Sequence, residues 1–209
     1  ERQLEALRGA GINEIAIVTG YKREMLLQYG LKEIYNTRWS ETNMVSSLAC
    51  ASEWLATEPC IISYSDIFYS KEAVELLKAD DADITVTYDP NWLELWKNRF
   101  GDPLLDCETF KLNSDGALTE IGNKPKTAEE VQGQYMGLIK MTPNGWGHIV
   151  EMRATLSNEM CDKMHMTGTL QMLIESGTTT LRGIAYLGEW GEVDSDIDLQ
   201  FYHSQNEPK

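Results

Sequence analysis

Short apolar runs of strand length alternate along this chain with amphipathic stretches of helix length, and the turns between them are brief. That alternation confines the chain to layered α/β architectures. The first stretch, through about Ala10, places Leu4 and Leu7 on one helical face and stops at Gly9 and Gly11, and Ile15-Ala16-Ile17-Val18 then runs to Thr19-Gly20. The pattern predicts a second helix from about Lys22 to Gln28, a strand at Lys32–Tyr35, and a third helix from Thr42 or Asn43 through Trp54. Cys60–Tyr64 reads as a buried strand leading to Asp66, followed by a helix at Lys71–Ala79 and a strand at Asp83–Tyr88. Repeated in this way, the units predict a doubly wound sheet with mostly parallel strands in the first half.

The second half changes character. Thr109–Leu112 and Ala117–Ile121 flank the turn residues Asn113-Ser114-Asp115-Gly116, a hairpin signal, and Gln134–Met141 is a further strand. Helices are expected at about Asn144–Thr155 and Gly168–Ser176, then a strand at Thr178–Tyr186, the short Trp190-Gly191-Glu192-Val193-Asp194, and a closing helix from about Ser195 to His203. With no repeat and no long linker, one domain over residues 1–209 is predicted, with a β-rich insertion or lid at about 90–135.

Composition narrows the function. Lys and Arg number 18 against 33 Asp and Glu, a net charge of −15, which argues against a surface built for nucleic acid or anionic lipid. No apolar run reaches the roughly 18 residues needed to span a bilayer. The four cysteines, Cys50, Cys60, Cys107 and Cys161, lack zinc-site spacing and read as reduced thiols, so a cytoplasmic location is expected. The chain opens on Glu1 and already reads as the middle of a helix, which is the expectation for a fragment.

Asp66 follows a buried strand directly and so belongs at the edge of the sheet where ligands bind in open α/β folds, although an aspartate there also suits a helix N-cap. Asp194 ends a second short strand. The two carboxylates could converge on one hard cation, since Mg²⁺ takes one or two carboxylates and fills its shell with phosphate oxygens and water. Lys124 and Lys126 bracket Pro125 in a turn and suit a phosphate, or simply solvent. Trp39, Trp92, Trp96 and Trp190 could box an ammonium group or pack a core.

Five phrases give these residues a common context: Tyr35–Leu48 (YNTRWSETNMVSSL), Ser63–Tyr69 (SYSDIFY), Glu120–Lys124 (EIGNK), Gln134–Leu138 (QYMGL) and Trp190–Asp194 (WGEVD). In this order they resemble the nucleotidyltransferases related to phosphocholine cytidylyltransferase. The resemblance implies a Rossmann-like, doubly wound mixed α/β sheet of the nucleotide-diphospho-sugar transferase type. The implied activity is transfer of CMP from CTP to phosphocholine or a similar aminoalkyl phosphate or phosphonate, with release of pyrophosphate. By the same resemblance Asp66 and Asp194 hold Mg²⁺, Thr42 and Asn43 lie near the nucleotide or acceptor, and Lys124 or Lys126 neutralises the acceptor phosphate. Tyr88, Trp92, Tyr135 and Trp190 are the implied contacts of the ammonium head. The family's opening strand and its G-x-G-x-R loop are absent from the sequence. A sugar-1-phosphate nucleotidyltransferase is an alternative, a non-catalytic nucleotide-binding module is another because that loop is absent, and homo-oligomer formation stays open.

Overall fold

In the computed structural model, which describes residues 1–205, the second half of the chain supplies the strand that organises the sheet. Strand β8 (Gln134–Met141) lies antiparallel between β3 (Cys60–Ser63) and β5 (Ile84–Asp89), and β9 (Leu181–Ala185) adds parallel to β5. The first-half strands β3 and β5 share a direction as expected, while β8 from the second half runs between them and against both, so the sheet is mixed and they are not neighbours. Apolar periodicity reports burial and is silent on strand direction, so the sequence pattern could not distinguish the two arrangements.

Alternation along β8 builds a core on each face of the sheet. Ile139 and Met141 join Ile84 and Val86 on one side, beneath Trp146 and Ile149 of α6 (Pro143–Ala154) and Leu170 and Leu173 of α8 (Met166–Ser176). Met136 and Leu138 turn to the other side. There they meet Leu7 of α1 (Arg2–Gly9), Val74 and Leu77 of α4 (Lys71–Ala79), and Trp92 and Trp96 of α5 (Trp92–Phe100). Sheet and flanking helices thus form three layers around two apolar cores, whose burial is the main source of stability.

Two short ribbons complete the sheet structure of this face. β1 (Ala16–Thr19) pairs in parallel with β2 (Lys32–Tyr35), and β4 (Ile67–Tyr69) pairs antiparallel with β10 (Trp190–Glu192). The hairpin β6 (Phe110–Leu112) to β7 (Leu118–Ile121) forms at the predicted turn. The predicted helix at Lys22–Gln28 is instead two 3-10 turns, Arg23–Met25 and Leu27–Tyr29, bounded by left-handed backbone at Lys22 and Gly30. The helix expected through Trp54 is split into α2 (Met44–Ala49) and α3 (Ser52–Leu55), and α7 (Asn158–Lys163) was not anticipated. The segment at 90–135 opens with α5 before the hairpin, and the closing helix α9 runs over Asp196–Gln205. No helix among the described residues is long and apolar enough to cross a membrane.

Candidate active site

β3 and β5 end, and β8 begins, along one edge of the four-stranded sheet, with Tyr88 opposite Tyr135 and Asp89 opposite Gln134. Between the Val86–Ile139 and Tyr88–Tyr135 pairs the register shifts, because β8 advances further than β5. Gly137 absorbs the bulge at φ +76°, a conformation that costs an L-residue about 1–2 kcal/mol. A Cβ on Gly137 would stand 2.8 Å from the Tyr64 ring, so the glycine also makes room for that side chain. Tyr64 donates its backbone N–H to the Gly137 carbonyl at 3.0 Å and meets Tyr135 edge to face, with ring centroids 5.9 Å apart.

The β4–β10 ribbon brings the two predicted metal residues together. The Val193 N–H donates to the Asp66 carbonyl at 2.8 Å, extending the ladder by one pair, so Asp66 and Asp194 leave the same end of the ribbon. Gln3 of α1 pins the approach by donating its amide to the Tyr64 carbonyl at 2.7 Å. Both carboxylates are exposed. Desolvation raises the Asp66 carboxyl above the usual aspartate range, and the Asp194 charge adds to that rise. Glu192 is pushed up to about 7, first by burial and next by Asp194, with Arg99 working against both. No group of three metal-ligand side chains is preassembled among the described residues. Two carboxylates at one end of a ribbon nevertheless fit a hard divalent cation that completes its shell with phosphate oxygens and water.

Arg99, which the sequence reading passed over, closes this end of the site. Its side chain is 1 % exposed and reaches Asp198 at 2.9 Å, Asp194 at 3.2 Å and Glu192 at 3.4 Å. The signal for it was present, since Trp92, Trp96 and Arg99 share one face of a helix at i, i+4 and i+7.

The acceptor side is less uniform. Trp92 and Trp190 are buried, and each indole N–H is committed, Trp92 to the Val131 carbonyl at 3.1 Å and Trp190 to an Asp89 carboxylate oxygen at 2.9 Å. Trp190 also stacks on Trp96 at 6.1 Å. These tryptophans form an inner wall and offer no open face to a ligand. Tyr88 packs on Phe110, and a Cβ on Gly133 would strike its ring. The buried Tyr135 hydroxyl has no hydrogen-bond partner among the described residues.

Glu108, also missed in the sequence, stands among these tyrosines, and its charge contributes to raising both phenols, chiefly raised by burial. Burial raises the Glu108 carboxyl in turn, while Thr167 donates to it at 3.4 Å. Thr167 packs against Gly122, at φ +84°, where a Cβ would come within 2.8 Å of the threonine.

Lys124 donates its ammonium to the Leu104 and Leu105 carbonyls, the latter at 3.0 Å, and its charge is felt by Asp106, Cys107 and Glu108. Lys126 is exposed, and its backbone N–H donates to Glu130 at 2.6 Å. Thr42 and Asn43 are engaged within their own turn. Thr42 donates to the Arg38 carbonyl at 2.9 Å, and Asn43 caps α2 by accepting the Met44 N–H at 2.7 Å. A shallow depression of about 530 Å³, lined by Asp81, Asp83, Asn113 and Arg182 among others, lies at the opposite end of β5, away from these residues.

Known proteins share the sequence pattern and the fold of this chain. Residues 1–120 match the MobA-like NTP transferase domain. The CTP:phosphoglutamine cytidylyltransferase of Campylobacter jejuni is 32 % identical over 216 residues, covering 95 % of this chain and 85 % of that protein. Among solved structures, the inositol-1-phosphate CTP transferase from T. maritima superposes with a TM-score of 0.73 at 17 % identity, over 97 % of this chain and 79 % of that one. The CTP:phosphocholine cytidylyltransferase from Streptococcus pneumoniae gives a TM-score of 0.69 at 18 % identity, over 98 % and 83 %. These two likenesses establish a shared mixed α/β fold, that of the nucleotide-diphospho-sugar transferases.

Proposed function

We propose that this chain, which belongs to the MobA-like NTP transferase family of nucleotidyltransferases, moves CMP from CTP onto the phosphate of a small amine-bearing acceptor with the help of Mg²⁺. The observation that carries the reading is the convergence of Asp66 and Asp194 at one end of the β4–β10 ribbon, beside the edge where Tyr64, Tyr88 and Tyr135 meet. In the transfer, an acceptor phosphate oxygen bonds to the α-phosphorus of CTP, the bond to the β-phosphate oxygen breaks, and pyrophosphate leaves. Such a displacement needs alignment and charge compensation and no covalent nucleophile. Asp66 and Asp194 would hold a divalent cation, which would supply that compensation at the phosphate oxygens. Lys124, on the flank of the same region, is the side chain suited to the acceptor phosphate, and Lys126 sits further out in the turn.

The 32 % identical relative supports CTP as the donor and a phosphorylated amino acid as the acceptor type. Glu108 supports a primary ammonium on that acceptor, because a carboxylate pairs with N–H donors whereas a trimethylammonium group is held by open aromatic faces. Trp92 and Trp190 are turned to other work, which counts against the trimethylammonium of phosphocholine and leaves 2-aminoethylphosphonate beside phosphoglutamine among the acceptors with a primary ammonium.

The test is pyrophosphate release with Mg²⁺, crossing CTP, UTP, GTP and ATP with phosphoglutamine, phosphocholine, 2-aminoethylphosphonate and glucose-1-phosphate. Turnover with CTP and a primary-amine acceptor, abolished by several orders of magnitude in Asp66→Ala, is the expected result. Turnover with a sugar phosphate alone, or nucleotide binding without pyrophosphate release, would overturn the reading.

A further inference from the structure

Burying a guanidinium is expensive unless every carboxylate it meets is well placed, and Arg99 meets three from the last part of the chain. Each of three nitrogens addresses a different residue: Nε faces Asp198 Oδ1, Nη1 faces Glu192 Oε2, and Nη2 faces Asp194 Oδ2. The guanidinium also lies 5.1 Å from the centre of the Trp96 ring, so a planar cation is wedged between an aromatic wall and an acidic arc.

Asp198 passes the constraint on. Its second oxygen accepts from the Asp194 N–H at 3.2 Å, the Ser195 N–H at 3.0 Å and the Ser195 hydroxyl at 2.8 Å. Arg99 therefore fixes Asp194 twice, through the carboxylate directly and through the backbone by way of Asp198. No hydrogen bond to Asp194 Oδ1 is formed among the described residues, which leaves that oxygen available.

We propose that Arg99 is the positioning residue of the metal end of the site: it spaces Glu192, Asp194 and Asp198 so that Asp194 presents one oxygen beside Asp66. The inference rests on the Mg²⁺ reading above. It requires the fork of an arginine, because a lysine offers a point charge that cannot address three separated carboxylates in one plane. The sequence separation of 93 to 99 residues between Arg99 and its partners places helix α5 in the architecture of the site and not only in its wall.

The experiment is Mn²⁺ binding followed by electron paramagnetic resonance on the full chain, with and without CTP, for wild type and Arg99→Lys. Melting curves and circular dichroism verify that the variant folds. The expected result is Mn²⁺ affinity lower by about tenfold or more in Arg99→Lys, the size typical of a residue that orients a metal ligand. Turnover in the variant is expected to recover as Mg²⁺ is raised, which damage to the fold would not allow. If Arg99→Lys fails to fold, Asp198→Asn carries the test, because it keeps the shape and weakens the same hold on the Asp194 backbone; a metal affinity lowered in it supports the proposal. Wild-type affinity in a folded variant overturns the role given to Arg99. Absence of Mn²⁺ binding by wild type, even with CTP, overturns the metal reading itself.

Discussion

Replacing Trp190 with phenylalanine separates a wall of the core from a contact for the acceptor. The indole N–H donates to a buried Asp89 carboxylate at 2.9 Å, and a hydrogen bond to a charged group contributes about 1.5–3 kcal/mol. Stacking on Trp96, centroid to centroid at 6.1 Å, adds about 0.5–1.5 kcal/mol. The apolar area lost between indole and phenyl is worth about 1 kcal/mol. Asp89 retains the Asn91 N–H at 2.7 Å, which limits the penalty on its charge, so the variant should lose about 3 kcal/mol. In urea unfolding, with a slope of about 2–3 kcal/mol per molar, the midpoint should fall by about 1 M. The KM for the acceptor should change little once the protein is folded. A loss below about 1 kcal/mol together with a tenfold rise in acceptor KM would refute the reasoning and return Trp190 to the ligand.

Two further outcomes follow from local geometry. Gly137→Ala combines a φ of +76° with a Cβ 2.8 Å from the Tyr64 ring, so it should cost about 2–3 kcal/mol and raise the acceptor KM more than the CTP KM; equal stability and unchanged kinetics would show that Tyr64 gives way freely. Asp83 has its carboxyl held below the usual aspartate value by hydrogen bonds from Thr142 and then Asn144, so its contribution is present above the unfolded-state pKa and is lost as pH falls through the native one. The urea midpoint should therefore decline from about pH 5 downward, and Asp83→Asn should flatten part of that slope; an unchanged slope in the variant would reassign it to other carboxylates.

The order of elements was legible because buried strands appear as short apolar runs, as at Ile15–Val18 and in most of Gln134–Met141, and helices space their apolar residues by three or four, as at Leu4 and Leu7. Direction was not. Ile139 and Val86 look alike in either sense of pairing, and only the fold shows β8 running against both neighbours. Asp66 and Asp194 could be suspected from their places at strand ends, while their adjacency depends on the β4–β10 ribbon, which joins segments more than 120 residues apart. The tryptophans were misleading for a physical reason: an amphipathic ring beside polar sequence suits a binding surface and an inner wall equally, and Asp89 decides the matter for Trp190. Arg99 and Glu108 escaped notice because their meaning lies in partners remote in sequence.

The central place of β8 also sets a timetable. During synthesis β3 and β5 are complete by residue 89, yet neither has its hydrogen-bonding neighbour until residue 141 has emerged. For some fifty residues of elongation, two apolar strands wait with unpaired edges, the condition under which nascent chains associate wrongly. Closing such long loops is slow, and the folding rate of this domain should answer to substitutions in β8 more than to those in β1 or β2, which find each other within a few turns of chain.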